Sequence, residues 1–172
     1  MARPRLAGDL SGLGLRAGDT VLVHASLSRL GHVVGGAEAV IDTLLDVVGA
    51  AGTVLFPTLT GSEHDGLDRP PGMDVRVTPC WTGRIPETAR QRPGAQRSLH
   101  PTHSVAALGA AAEAYARGHE GGASPCDEQS PYSRLIGEAG LILLLGGVTQ
   151  QSNTTLHCLE ELAGVPYTSS PT

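Results

Sequence analysis

The chain has 172 residues, a net charge of -5, 40 % apolar residues and only 17 % charged ones. That length and apolar content fit one folded domain and exclude wholesale disorder. The acidic balance disfavours general binding to phosphate backbones and favours a cationic small molecule.

Gly and Pro are plentiful, at 23 and 12, so short elements joined by many turns are expected. The three cysteines, Cys80, Cys126 and Cys158, are odd in number and widely spaced. They read as reduced thiols of a cytoplasmic protein rather than as a disulfide framework. Met1 to Gly8 has no apolar run, so no secretory signal opens the chain. The longest apolar stretch, Leu141 to Leu145, is far too short to span a bilayer.

In chain order, Thr20 to His24 reads as a buried strand that runs into the loop Ala25-Ser26-Leu27-Ser28. From Gly36 to Val48, Ala37, Val40, Ile41, Leu44, Leu45 and Val48 recur at helical spacing, and Gly49 is the stop. Thr53 to Phe56 is a second strand, closed by Pro57. The turn-rich tract from Thr60 to Pro79 is either a binding loop or a solvated insertion. Ile85 to Arg92 is a short helix with Pro86 in its first turn. Ser104 to Leu108 is a third strand, Ala110 to Arg117 an Ala-rich helix, and Leu141 to Leu145 a fourth, buried strand. Asn153 caps a helix from Thr154 to Ala163, which Gly164 and Pro166 end. Strands alternating with helices predict an α/β fold, and continuous apolar strands predict a sheet covered by helices on both faces.

Three segments could carry chemistry. In Asn153 to Leu162, the residues Thr154, His157 and Glu160 are three apart and share one side of the helix. Leu156, Leu159 and Leu162 fall on another side, expected to face the core. A histidine in that place can act as general base; the plain alternative is a polar helix surface. In Arg97 to Ser104, Arg97 is suited to a phosphate, with Ser98 and Ser104 adding hydrogen bonds, although a surface charge explains Arg97 equally well. His100 and His103 form an HxxH pair that could join Cys80 or Cys126 around a metal. No CxxC or HExxH spacing supports such a site, and no metal is expected. The third segment, His24 to Ser28 with Gly35-Gly36 beyond it, could bring backbone N–H groups to an anion, but a simple strand-to-loop turn accounts for it too.

These segments together resemble the aminoglycoside 3-N-acetyltransferase family. The matching stretches are GDTVLVHASLSRLG at 18–31, GGAEAVIDTLLDVVGAAGTVLFPT at 35–58 and GRIPETARQRPGAQRSLHPTHSVAALG at 83–109. SPYSRL at 130–135 and LILLLGGVTQQSNTTLHCLEELAGVPY at 141–167 complete them. The resemblance implies an acetyl-CoA-dependent acyltransferase of α/β/α type, unrelated to the GNAT acetyltransferases, with direct transfer to an amine. It implies His157 as general base, Glu160 as its acidic companion and Thr154 as a hydroxyl near the thioester. It also implies that Ala25, Ser26 and Leu27, with Arg97, Ser98 and His100, line the coenzyme.

Family members continue past the HxxE helix, so the resemblance also implies a shortened domain over 1–172 that lacks part of the acceptor wall. On that ground a coenzyme A-binding remnant without activity stays open, as does a metal-dependent hydrolase built on His100 and His103. The expected partner is a cationic amine, with no nucleic acid and no membrane; pairing into a homo-oligomer is left open.

Overall fold

In the computed structural model, the described residues are 1–62, 64–66, 68–122 and 124–165. Pro166 and the polar tail 167–172 lie outside them. Five strands form one sheet: β1 (Thr20–Ala25), β2 (Thr53–Pro57), β3 (Gln96–Arg97), β4 (Val105–Gly109) and β5 (Leu141–Leu145). Their order is β3-β4-β2-β1-β5. β1 runs parallel to β2 and β5, whereas β4 is antiparallel to both β2 and β3. The sheet is therefore mixed.

Among the described residues, six α-helices surround it: α1 (Arg3–Gly12), α2 (Gly36–Val48), α3 (Arg84–Arg90), α4 (Ala112–Ala116), α5 (Pro131–Gly137) and α6 (Thr154–Leu162). Successive strand residues point to opposite faces. Val21, Val23, Val54 and Phe56 pack on one side with Leu10 of α1, Val40, Ile41 and Leu44 of α2, and Ile85 of α3. Leu22, Leu55, Val105 and Ala107 pack on the other with Tyr115 of α4, Tyr132 and Leu135 of α5, and Cys158 of α6. The expected α/β sheet with helices on both faces is what the chain builds.

Several local readings needed correction. α1 carries only Leu6 and Leu10 as buried residues, too thin an apolar pattern to announce a helix. Those two leucines seat it in the core, and Arg3 adds exposed ion pairs to Asp42 at 3.3 Å and Asp46 at 2.6 Å on α2. α5 also escaped notice, although Ser130 caps it and Pro131 opens it. Among the described residues β5 has β1 as its one neighbour, and Leu141 and Ile142 are exposed rather than buried. The leucines of α6 are also exposed: Leu156 at 37 %, Leu159 at 43 % and Leu162 at 52 %. The side of α6 that turns inward carries Thr154, Thr155 and Cys158.

The reason lies in the cysteines. Cys126 and Cys158 are joined by a disulfide that pins α6 to the loop ahead of α5, which corrects the expectation of reduced thiols. Cys80 is free. No helix among the described residues is long and apolar enough to cross a membrane.

Candidate active site

The carboxyl ends of β1, β2 and β5 open onto a cleft of about 440 Å³. Such ends are the usual ligand positions of open α/β sheets. His24 and Ala25 leave β1 there, Pro57 ends β2, and Thr154 and His157 project from the first turns of α6. Asn153 fixes the start of that helix by accepting the Thr155 N–H at 3.1 Å. Thr154 is buried, whereas the His157 side chain is 69 % exposed. His157 Nδ1 lies 3.2 Å from Glu160 Oε2. Of the three residues expected to work together on α6, Thr154 and His157 line the cleft, and Glu160 reaches it only through its contact with the accessible imidazole.

A groove of about 590 Å³ continues from this cleft, with Ala25 and Thr82 common to both. Ser26, Leu27 and Ser28 line it on one side, Thr82, Gly83 and Arg84 on the other, and Gly36 closes it at the start of α2. The Ser26 N–H bonds to Leu145 O at 3.1 Å, so the loop after β1 continues the β1–β5 ladder. Gly146 follows with φ +71°, and any side chain there would collide with the Ser26 carbonyl oxygen. The glycine pair after β5 is thus needed for this loop to sit where it does.

Arg97 and Ser98 face inward. The Arg97 guanidinium donates to Thr58 Oγ1 at 3.2 Å, Ser104 Oγ at 3.1 Å, Thr58 O at 3.1 Å and Thr78 O at 2.6 Å. Burial, then the neighbouring Arg90 charge, lowers its pKa from the ordinary arginine value. Ser98 is fully buried: its hydroxyl bonds to His119 Nδ1 at 2.9 Å and accepts the Val105 N–H at 2.9 Å. In this conformation both residues brace the β3–β4 edge, and neither lines the groove. His100 is likewise engaged. Its Nδ1 accepts the N–H groups of Thr102 at 3.2 Å and His103 at 3.0 Å, and its ring stacks 4.6 Å from that of His119.

Sequence reasoning missed two histidines here. His119 is wholly buried, bridging Ser98 and Pro125 O, and a lone histidine in a polar stretch carries no periodic signal. His103 was read only as half of a metal pair, yet it lines the cleft with His157. Among the described residues, no three ligating side chains gather as a metal site would require. His24 sits at the cleft floor, and burial pushes its pKa down to about 4 against the opposing effect of the Asn153 side chain.

A third cavity, of about 890 Å³, shares Trp81 and His103 with the cleft. Thr60, Ser62, Asp65 and Pro70 of the turn-rich tract form its far wall. The tract is therefore part of a cavity rather than a detached insertion. Trp81 is 65 % exposed and held by its Nε1–H, which donates to Thr60 O at 3.2 Å.

The family model described as aminoglycoside 3-N-acetyltransferase matches residues 22–172. The aminoglycoside N(3)-acetyltransferase VII of Streptomyces paromomycinus is 41 % identical over 96 % of this chain, and the chain spans 62 % of that relative's length. The type III enzyme of Serratia marcescens is 35 % identical over 94 % of this chain and 64 % of its own length. Among solved structures, AAC-IIIb in binary complex with CoASH superimposes with a TM-score of 0.84 at 36 % identity, covering 96 % of this chain and 66 % of that one. Sisomicin-bound AAC-VIa does so with a TM-score of 0.80 at 30 % identity, covering 93 % and 64 %.

Proposed function

Because this chain belongs to the aminoglycoside 3-N-acetyltransferase family, we propose that its cleft transfers an acetyl group from acetyl-CoA to an amine of an aminoglycoside, with His157 as general base. The observation that carries the reading is the accessible imidazole of His157, oriented by Glu160, at the junction of a groove and a second cavity. One opening suits each substrate.

The groove suits the coenzyme. Ala25, Ser26 and Leu27 offer a mostly apolar wall for the pantetheine arm, and the N-terminus of α2 with Arg84 offers positive potential for phosphates. Arg97, Ser98 and His100 support the coenzyme side indirectly, by bracing the sheet edge. The cavity lined by Asp65 and Trp81 suits the acceptor, because an acidic side chain and an aromatic face both attract a cationic sugar. The bound AAC-IIIb and AAC-VIa structures support this choice of ligands by likeness.

At neutral pH the acceptor nitrogen is an ammonium and cannot attack. His157 takes one proton, and Glu160 stabilises the imidazolium. The freed lone pair forms a bond to the thioester carbonyl carbon, and the carbonyl π electrons move onto oxygen. The Thr154 hydroxyl and the first N–H groups of α6 are the donors for that oxyanion. Collapse breaks the carbon–sulfur bond, the sulfur leaves with the electron pair, and His157 returns a proton to it. The second proton on nitrogen passes to water, leaving a neutral amide and CoASH.

Mass spectrometry of an aminoglycoside panel incubated with the protein and acetyl-CoA tests the proposal. A product carrying one acetyl group on an amine is expected. Hydrolysis of acetyl-CoA without acetylated product would replace transferase by thioesterase.

A further inference from the structure

His103 is held at three points. Its backbone N–H donates to His100 Nδ1 at 3.0 Å, its carbonyl accepts the Tyr132 hydroxyl at 3.3 Å, and its Nδ1 lies 2.7 Å from Thr102 Oγ1. His100 Nδ1 receives two backbone N–H groups, so it is an acceptor, and the Thr102 hydroxyl lies 3.4 Å from it. The Thr102 oxygen can accept from His103 Nδ1–H, 2.7 Å away. In that tautomer the neutral imidazole carries a lone pair on Nε2. Among the described residues, no group bonds to that nitrogen.

The ring lies where the cleft of His157 meets the cavity of Asp65 and Trp81, and it lines both. With Trp81, it is one of two side chains that a molecule spanning the two must pass. We propose that His103 is an acceptor-orienting residue, whose Nε2 receives a hydrogen bond from an ammonium or hydroxyl of the aminoglycoside beside the amine that His157 deprotonates.

The inference rests on the aminoglycoside reading and deepens it. A positioning group next to a polycation must not itself be charged. Burial first, then the nearby His100 and His157, lower the His103 pKa to about 4, so it does not repel the substrate at neutral pH. Fixing a second point of the acceptor holds the reacting nitrogen in one geometry, which is where an enzyme gains much of its rate.

Two variants separate this role from a structural one. His103→Leu keeps bulk and removes the acceptor atom; His103→Gln can place an amide oxygen near the Nε2 position. Sisomicin is titrated calorimetrically into the full chain and both variants, and CoASH is titrated in parallel as a check of the fold. Loss of a hydrogen bond to a charged group predicts weaker sisomicin binding by roughly 10–100-fold in the leucine variant. CoASH affinity should be unchanged, and most sisomicin affinity should return in the glutamine variant. Equal sisomicin affinity in wild type and His103→Leu overturns the inference, as does a loss as large in His103→Gln as in His103→Leu. If the leucine variant does not fold, the glutamine variant decides alone: binding within about threefold of wild type supports the role, and loss of binding overturns it. A wild-type chain that binds CoASH but no aminoglycoside brings down the acceptor reading itself, and this inference with it.

Discussion

His157 Nδ1 lies 3.2 Å from Glu160 Oε2, one turn along α6. The contact engages Nδ1 and leaves Nε2 for the substrate, and the carboxylate compensates the charge that the ring acquires. Glu160→Gln removes the charge and keeps the shape. Steady-state kinetics should show kcat lower by roughly 10²-fold with the KM for acetyl-CoA unchanged. A wild-type kcat in this variant would mean that Glu160 is a surface residue only.

Arg97 is expected to matter for stability rather than for direct coenzyme contact. Alanine there leaves the Thr78 carbonyl without its Arg97 donor and removes a tie between the Thr60–Pro79 tract and the sheet, whereas Thr58 O keeps the Ser104 hydroxyl. Leaving a buried acceptor unmet costs about 1–3 kcal/mol. Urea unfolding of Arg97→Ala should show a clear loss of stability, while the fraction that stays folded binds CoASH normally. The reverse pattern, full stability with lost coenzyme affinity, would return Arg97 to the phosphate-binding role that its residue type first suggested.

Acid should unfold the protein through its histidines. His24, His100 and His103 are each lowered from 6.5 to about 4, chiefly by burial. The unfolded chain therefore takes up protons first as the pH falls. The stability that these neutral rings contribute is complete above about pH 6.5 and drains away between 6.5 and 4. Urea midpoints measured at pH 7.5, 6 and 5 should fall steadily, as about these values follow from the same linkage. A flat profile would show that the rings accept protons without opening the fold.

The Cys126–Cys158 disulfide closes a 32-residue separation and fixes the helix that carries His157. Chain-entropy arguments give such a cross-link about 3–4 kcal/mol. Thermal melts with and without reductant should differ accordingly, and Cys126→Ser should reproduce the reduced curve. Identical melts would show that packing alone holds α6.

The sequence made some of these features plain and concealed others, for physical reasons. α2 was legible residue by residue because its apolar stripe is complete and a glycine ends it. α6 was legible because Asn153 supplies a cap, but which side faced inward was not. The leucines of α6 form the obvious apolar stripe, yet a covalent tie through Cys158 turns a different side toward the sheet. Pairings distant in sequence leave no local signal: Cys126 with Cys158, Ser98 with His119, Arg97 with Thr58. The same limit applied to His103, whose neighbour in the cleft, His157, is far away in the chain. Residue types told which groups can do chemistry; only the fold told which of them share a cavity.

The central claim is most directly tested by the rate at which CoASH thiol is released from acetyl-CoA in the presence of an aminoglycoside, for the wild-type chain and for His157→Ala. Aminoglycoside-dependent release by the wild type is predicted, lower by about 10²–10⁴-fold in the variant, with CoASH affinity equal in the two proteins. Release that does not depend on the aminoglycoside, or that proceeds equally fast without His157, would contradict the account.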